Sequence, residues 1–199
     1  MELDTRLSSG EKLELLRIAR KGVEAAARHQ KYLPESPVSP QLCRKAGAFV
    51  TLHIHGELRG CIGYIEAALP MYETVAQTAG KSAVADPRFE PVSEQEVREI
   101  EIEISVLSPL VRINRTEEVI VGKHGVLIER GYNRGLLLPQ VATENNWDLK
   151  EFLEYTCMKA GIDKELYKDA GTRIYVFTAD VFGESEFGKI SEENLAERT

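Results

Sequence analysis

The stretch Ala48-Phe49-Val50-Thr51-Leu52-His53-Ile54-His55-Gly56-Glu57-Leu58-Arg59-Gly60-Cys61-Ile62-Gly63-Tyr64-Ile65 decides how this chain is read. Its first half alternates. Ala48, Val50, Leu52 and Ile54 fall on one side, and Phe49, Thr51, His53 and His55 on the other, the period of a half-buried strand. Gly56-Glu57 follows, a glycine-first pair that suits a two-residue type II′ turn. The chain then returns as a strand from Leu58 to Ile65. With that turn His55 faces Leu58, Ile54 faces Arg59 and Leu52 faces Cys61. Both histidines are then expected on the sheet face away from the Cys61 sulfur. A loop one residue longer would set His53 opposite Cys61 and suggest a Cys–His dyad. The returning strand also carries the first chemistry. Gly60 and Gly63 weaken a strand interior and signal that another group comes close to its backbone. Arg59, expected on the same face as Cys61, would favour the thiolate. Cys61 therefore reads as a nucleophile, a pocket-lining residue or a small buried hydrophobe.

Upstream, Ser8 and Glu11 form a capping box for a helix to about His29. Its apolar face holds Leu13, Leu16, Ala19, Val23 and Ala26, and Arg17, Lys21, Glu24 and Arg28 make the opposite stripe. Pro34, Pro37 and Pro40 mark a loop. Downstream, Pro70 opens a second helix to about Ala85, and Ser93 with Glu96 repeats the capping box. Ile100, Ile102, Ile104 and Val106 alternate as a strand. Val126–Glu129 and Leu136–Leu138 read as short strands, and Asn146 as the cap of a helix over Trp147–Ala160 stopped by Gly161. Cys157 shares a buried helical face with Leu149, Phe152, Leu153 and Ala160. Arg173–Phe182 reads as one final strand. Hairpin-linked strands interspersed with helices give an α+β class: a mostly antiparallel sheet with flanking helices.

The 199 residues are 43% hydrophobic and 29% charged, an ordinary globular balance, and the net charge of -7 disfavours nucleic-acid binding through bulk charge. No apolar run reaches the length of a membrane span, and residues 1–10 lack a signal-peptide core, so a cytoplasmic location is expected. Three widely spaced cysteines are no disulfide framework, and without a C-x-x-C pair no metal site is expected. Residues 1–9 are expected to be a flexible N-terminus. Residues 10–185 would be the domain, and 186–199 an acidic, fraying tail.

Leu58-Arg59-Gly60-Cys61-Ile62-Gly63 resembles the signature of the AMMECR1 domain. The resemblance continues in order through Asp86-Pro87-Arg88-Phe89, Ile102–Ser108, Lys123-His124-Gly125 and Leu136–Ala142. It then takes in Glu144 and Trp147 and ends at Lys159-Ala160-Gly161. It implies a single α+β domain with a larger and a smaller subdomain and names no established activity. It also implies a neighbourhood of Memo-like and radical-SAM proteins, and hence a redox or modification pathway. The motif residues matched are Arg59, Gly60, Cys61 and Gly63, then Asp86, Arg88 and Phe89, then Pro139.

Around Cys61 the candidate binding residues are Arg59, Gly60, Gly63, Asp86, Arg88, Gln140 and Glu144. Arg59 is expected either to fork onto a carboxylate or phosphate or to pair with Asp86 or Glu103. Asp86 and Arg88 flank Pro87 and are expected to pair and fix that turn. Gln140 and Glu144 would add polar groups to the same cleft or cap the following helix. Glu101 and Glu103 read as a solvated strand face, and His124 as a turn residue. The ligand so described is a small anion or a modified protein segment. The other readings are a non-enzymatic interaction module and, through the basic stripe of the first helix, a nucleic-acid regulator.

Overall fold

The structure, a computed structural model, describes residues 6–187. In chain order it has α1 (Ser9–Ala27), β1 (Ala48–Ile54), β2 (Glu57–Tyr64), α2 (Met71–Val84), β3 (Ile100–Leu107), β4 (Val111–Ile113) and β5 (Gly125–Arg130). β6 (Asn133–Leu137), α3 (Pro139–Glu144), α4 (Leu149–Lys159), β7 (Arg173–Phe177), β8 (Ala179–Gly183) and α5 (Glu184–Phe187) follow. This is the α+β class expected. The described residues divide into a larger unit, residues 6–107 with 180–187, and a smaller one, residues 108–179.

In the larger unit the strand order is β2-β1-β3-β8. The alternation seen in the sequence is the packing rule. Ala48, Val50 and Leu52 of β1 and Ile100, Ile102, Ile104 and Val106 of β3 are buried in one core. Leu15, Leu16, Ala19 and Val23 of α1 and Val75, Ala79 and Ala83 of α2 join that core. Ser8 caps α1 as expected: its Oγ accepts the Glu11 N–H, and Glu11 accepts the Ser8 N–H. Leu7, expected in a flexible terminus, is buried, and its N–H donates to Asp180 Oδ2 at 3.0 Å. Arg20 of α1 is buried too. It pairs with Glu184 and donates to the carbonyls of Val97 and Ile100, and so ties α1 to α5 and β3. Residues 1–5 and the tail from 188 lie outside the described residues.

In the smaller unit the order is β4-β7-β5-β6, and Val126, Ile128, Ile174, Val176, Phe152, Leu153 and Cys157 form its core. Two boundaries differ from expectation. Arg173–Phe182 is two strands, β7 and β8, in different sheets. The break is at Thr178, whose N–H and carbonyl are taken by the Ser108 hydroxyl and N–H at 2.9 Å each. The second difference is at Asn146. It holds a left-handed φ of 54° before the helix, and Asp148 is the cap, accepting the Glu151 N–H. An asparagine tolerates that conformation better than most residues, so it makes the turn instead of the cap.

The hairpin β1–β2 is formed, with a different turn. His55 (φ 53°) and Gly56 (φ 83°) are the two loop residues, and Ile54 pairs with Glu57. Positive φ at both positions is the type I′ requirement, and it puts glycine second. The register then shifts: Leu52 pairs with Gly60 but His53 with Leu58. Arg59 is the extra residue of a β-bulge. Cys61 consequently faces Thr51, not Leu52. His53, two residues from Thr51 on the same strand, therefore lies on the Cys61 face, contrary to expectation. His55 sits in the turn with its Nε2 3.0 Å from Glu99.

Candidate functional site

The bulge organises the site. An extra residue in one strand re-aims its side chain. Arg59 leaves the ladder, donates through Nε to Glu96 Oε1 at 2.9 Å and through an Nη to the Glu90 carbonyl at 2.9 Å. Its guanidinium lies 6.0 Å from the centre of the Phe89 ring. The expected partner was Asp86 or Glu103; the structure gives Arg59 to Glu96 and Asp86 to Arg88. Glu96 in turn caps its own turn, accepting the N–H and hydroxyl of Ser93. These donors, Arg59 first, hold the Glu96 carboxyl down at about 2.

Asp86 is the second organiser. Its side chain is only 3% exposed. Oδ1 accepts the Arg88 main-chain N–H and Nε, and Oδ2 accepts an Arg88 Nη at 2.6 Å. Oδ2 also accepts the Cys61 N–H at 2.8 Å. The Asp86–Arg88 pairing expected from the sequence is present, and the same carboxylate fastens the turn to the outer side of β2. The arginine, above all, holds the Asp86 carboxyl well below the usual carboxylate range. Arg88 remains half in solvent, its guanidinium 5.4 Å from the Phe89 ring, so one aromatic side chain stands beside both arginines.

Cys61 is half-buried, and its sulfur accepts the Thr51 hydroxyl at 3.4 Å. Asp86, and to a smaller degree the Cys61 sulfur, favour the charged form of Arg88. Arg88 and the Cys61 N–H share Oδ2 of Asp86. Arg59, expected to favour the thiolate, is committed to Glu96.

The motif glycines have a packing explanation. A Cβ on Gly60 would lie 2.2 Å from the Ser82 carbonyl oxygen of α2, and one on Gly63 would lie 2.1 Å from the Phe49 ring. The groups that approach the strand are thus a helix and an aromatic ring of the same unit. Ser82 goes further: its Oγ accepts the Ile62 N–H at 2.8 Å and donates to the Val50 carbonyl at 2.7 Å. A hydroxyl therefore bridges the two strands, which nothing in the strand pattern signalled.

Gln140 and Glu144 lie on α3 of the smaller unit, and Pro139 is its first residue. Cys157 is fully buried, and burial pushes its thiol up to about 11. His124 accepts the Ile120 N–H on Nδ1, a turn role, and burial lowers its basicity. No group of three or more histidine, cysteine or acidic residues suited to a metal occurs among the described residues.

Fold and site together define a class: an α+β protein of two antiparallel sheets whose bulged arginine–glycine–cysteine hairpin is stapled to an aspartate–proline–arginine–phenylalanine turn. The AMMECR1 family profile matches residues 16–182, and this chain belongs to that family. A protein of Methanothermobacter thermautotrophicus is 43% identical over 185 residues, covering 89% of this chain and 96% of the relative. One from Methanopyrus kandleri is 40% identical over 204 residues, covering 94% and 99%. The crystal structure of an uncharacterised protein from Pyrococcus horikoshii is similar at a TM-score of 0.81 and 39% identity, covering 85% of this chain and 89% of that one.

Proposed function

We propose that the face around Cys61 is a ligand-binding site for a small anion or a modified protein segment, with the Cys61 thiol as the contact atom and the candidate for chemistry. One observation carries this reading. Segments 58–63 and 86–89, distant in sequence, are joined through Asp86, whose Oδ2 accepts both the Cys61 N–H and the half-exposed Arg88 guanidinium. The Thr51 hydroxyl donates to this sulfur, and Arg88 shares the Asp86 carboxylate with the Cys61 N–H. The geometry that supports this reading does not involve Gln140 and Glu144, which lie on α3. A partner of the Memo-like or radical-SAM kind, and a redox or modification pathway, rest on the family resemblance alone. No described helix is long and apolar enough to cross a membrane. All three cysteines are free and Cys43 is exposed, which supports a reducing compartment, the cytoplasm.

The test compares alkylation by anionic iodoacetate and neutral iodoacetamide at Cys61 and at exposed Cys43 in the same molecule. The iodoacetate-to-iodoacetamide rate ratio should be about three- to tenfold higher at Cys61, as expected where a local positive charge concentrates an anion. Arg88→Gln should abolish that excess. Equal ratios at the two cysteines would overturn the reading.

The interaction-module alternative has its own support. Asp86 is saturated by internal partners, Arg59 is engaged by Glu96 and the Glu90 carbonyl, and both motif glycines answer internal packing. It predicts that Cys61→Ala leaves partner binding intact.

A further inference from the structure

We propose that Lys31-Tyr32-Leu33-Pro34-Glu35-Ser36-Pro37 is a docking segment in polyproline II form for a partner protein whose groove has aromatic walls and an acidic rim. The Cys61 site does not use this segment, and it connects α1 to β1 without helix or strand. Its proline spacing is three, the repeat of the polyproline II helix, so Pro34 and Pro37 stand on one edge with Lys31 a further turn away. Each proline fixes its own φ near the polyproline value, and Leu33, Ser36 and Ser39, which precede prolines, are driven to the same region. Only Glu35 and Val38 between Leu33 and Pro40 escape that restriction.

Three structural facts agree with the pattern. Residues 31–37 carry no turn or bend, and the first bend comes at Val38. Among the described residues, no backbone hydrogen bond joins 31–38 to another main-chain group, as a solvated polyproline II backbone requires. The segment is also held at both ends. Tyr32 packs against the core of the larger unit, and the Ser39 hydroxyl donates to Glu11 at 2.5 Å ahead of fully buried Leu42. A tethered, pre-extended segment loses less freedom on docking than a floppy one.

The exposed side chains state what the partner must offer. Leu33 is 74% exposed, a large apolar group in water beside a proline. Leu33-Pro34 and, one turn later, Ser36-Pro37 form the residue–proline ridge that aromatic-lined grooves grip. Pro34 and Pro37 are half-buried and the Ser36 hydroxyl lies 3.8 Å from Cys43 Sγ, so the ridge on offer is Leu33 with the open edges of the two rings. Lys31 is exposed at the head of the segment, where an acidic rim would meet it.

The experiment titrates the full chain into an isotope-labelled SH3 domain that reads basic-x-x-Pro-x-x-Pro ligands and follows its amide shifts. Saturable shifts in the aromatic groove are expected. Pro34→Ala with Pro37→Ala should weaken binding about tenfold or more, and Lys31→Glu by about three- to tenfold. Leu33→Asp, at a position that touches little of the core, should also abolish it, which separates docking from any effect of the proline changes on folding. Absence of saturable shifts, or equal binding by Leu33→Asp, would overturn the proposal.

Discussion

The molecule contains two hairpins of similar length, and they differ in an instructive way. β5–β6 is regular. Its pairs run in step from Val126–Leu137 to Arg130–Asn133, and Gly131, with φ 60°, opens its two-residue turn. β1–β2 is bulged, turns through two left-handed residues, and gives the Cys61 and Ile62 N–H groups to side chains. Yet both hairpins carry a glycine pressed against a helix. A Cβ on Gly135 would lie 2.3 Å from the Ala160 nitrogen, just as one on Gly60 would lie 2.2 Å from the Ser82 oxygen. Close-packed glycine is therefore common to both and marks no site. What sets β1–β2 apart is the bulge, the side-chain acceptors on its backbone and the arginine–aromatic cluster beside it.

The largest effects should be equal in kind. Gly60→Ala and Gly135→Ala each force a methyl into a backbone atom, and each should destabilise by about 1–3 kcal/mol or more in denaturant unfolding. Loss in the second without loss in the first would break the parallel.

The remaining effects should appear in β1–β2 alone. Asp86→Ala leaves Arg88 and the Cys61 N–H without their acceptor and should cost about 1–3 kcal/mol. Ser82→Ala removes the bridge between Val50 and Ile62 and should cost about 1 kcal/mol, with faster amide exchange at Ile62 as its local signature.

Acid sharpens the same contrast. Asp86 and Glu96 have folded-state carboxyls held below their unfolded values. Depressed carboxyls contribute stability above the unfolded value and lose it as pH falls through the folded one. Their contribution should be complete near neutrality and decline from about pH 4 down towards 2 and below. Asp86→Asn should flatten that limb, as measured by unfolding at a series of pH values. The smallest effect is a null one: native Cys157, buried in the β5–β6 unit, should resist thiol reagents that label it rapidly in the unfolded chain.

The elements were legible because their signals are local. The Ser8–Glu11 box, the isoleucine alternation from Ile100 and the Gly161 stop each depend on a few adjacent residues. The register of β1–β2 was not, because a bulge costs only one residue of pattern, and Leu58-Arg59-Gly60 reads equally well in step. The strand split at Thr178 was hidden in a continuous β-forming run. At the site, the Asp86–Arg88 pairing could be read from its two-residue spacing. Arg59–Glu96 and Ser82–Ile62 could not, since their partners lie 37 and 20 residues apart.

We propose the irregular hairpin as the binding face and the regular one as scaffold. The most direct test follows the backbone amides and arginine Nε resonances of the full chain during titration with phosphate and with small carboxylates. The account predicts saturable shifts at Cys61, Ile62 and Arg88, with Val126–Leu137 unmoved and the response lost in Arg88→Gln. Shifts at β5–β6, or none at Cys61 and Arg88, would contradict it.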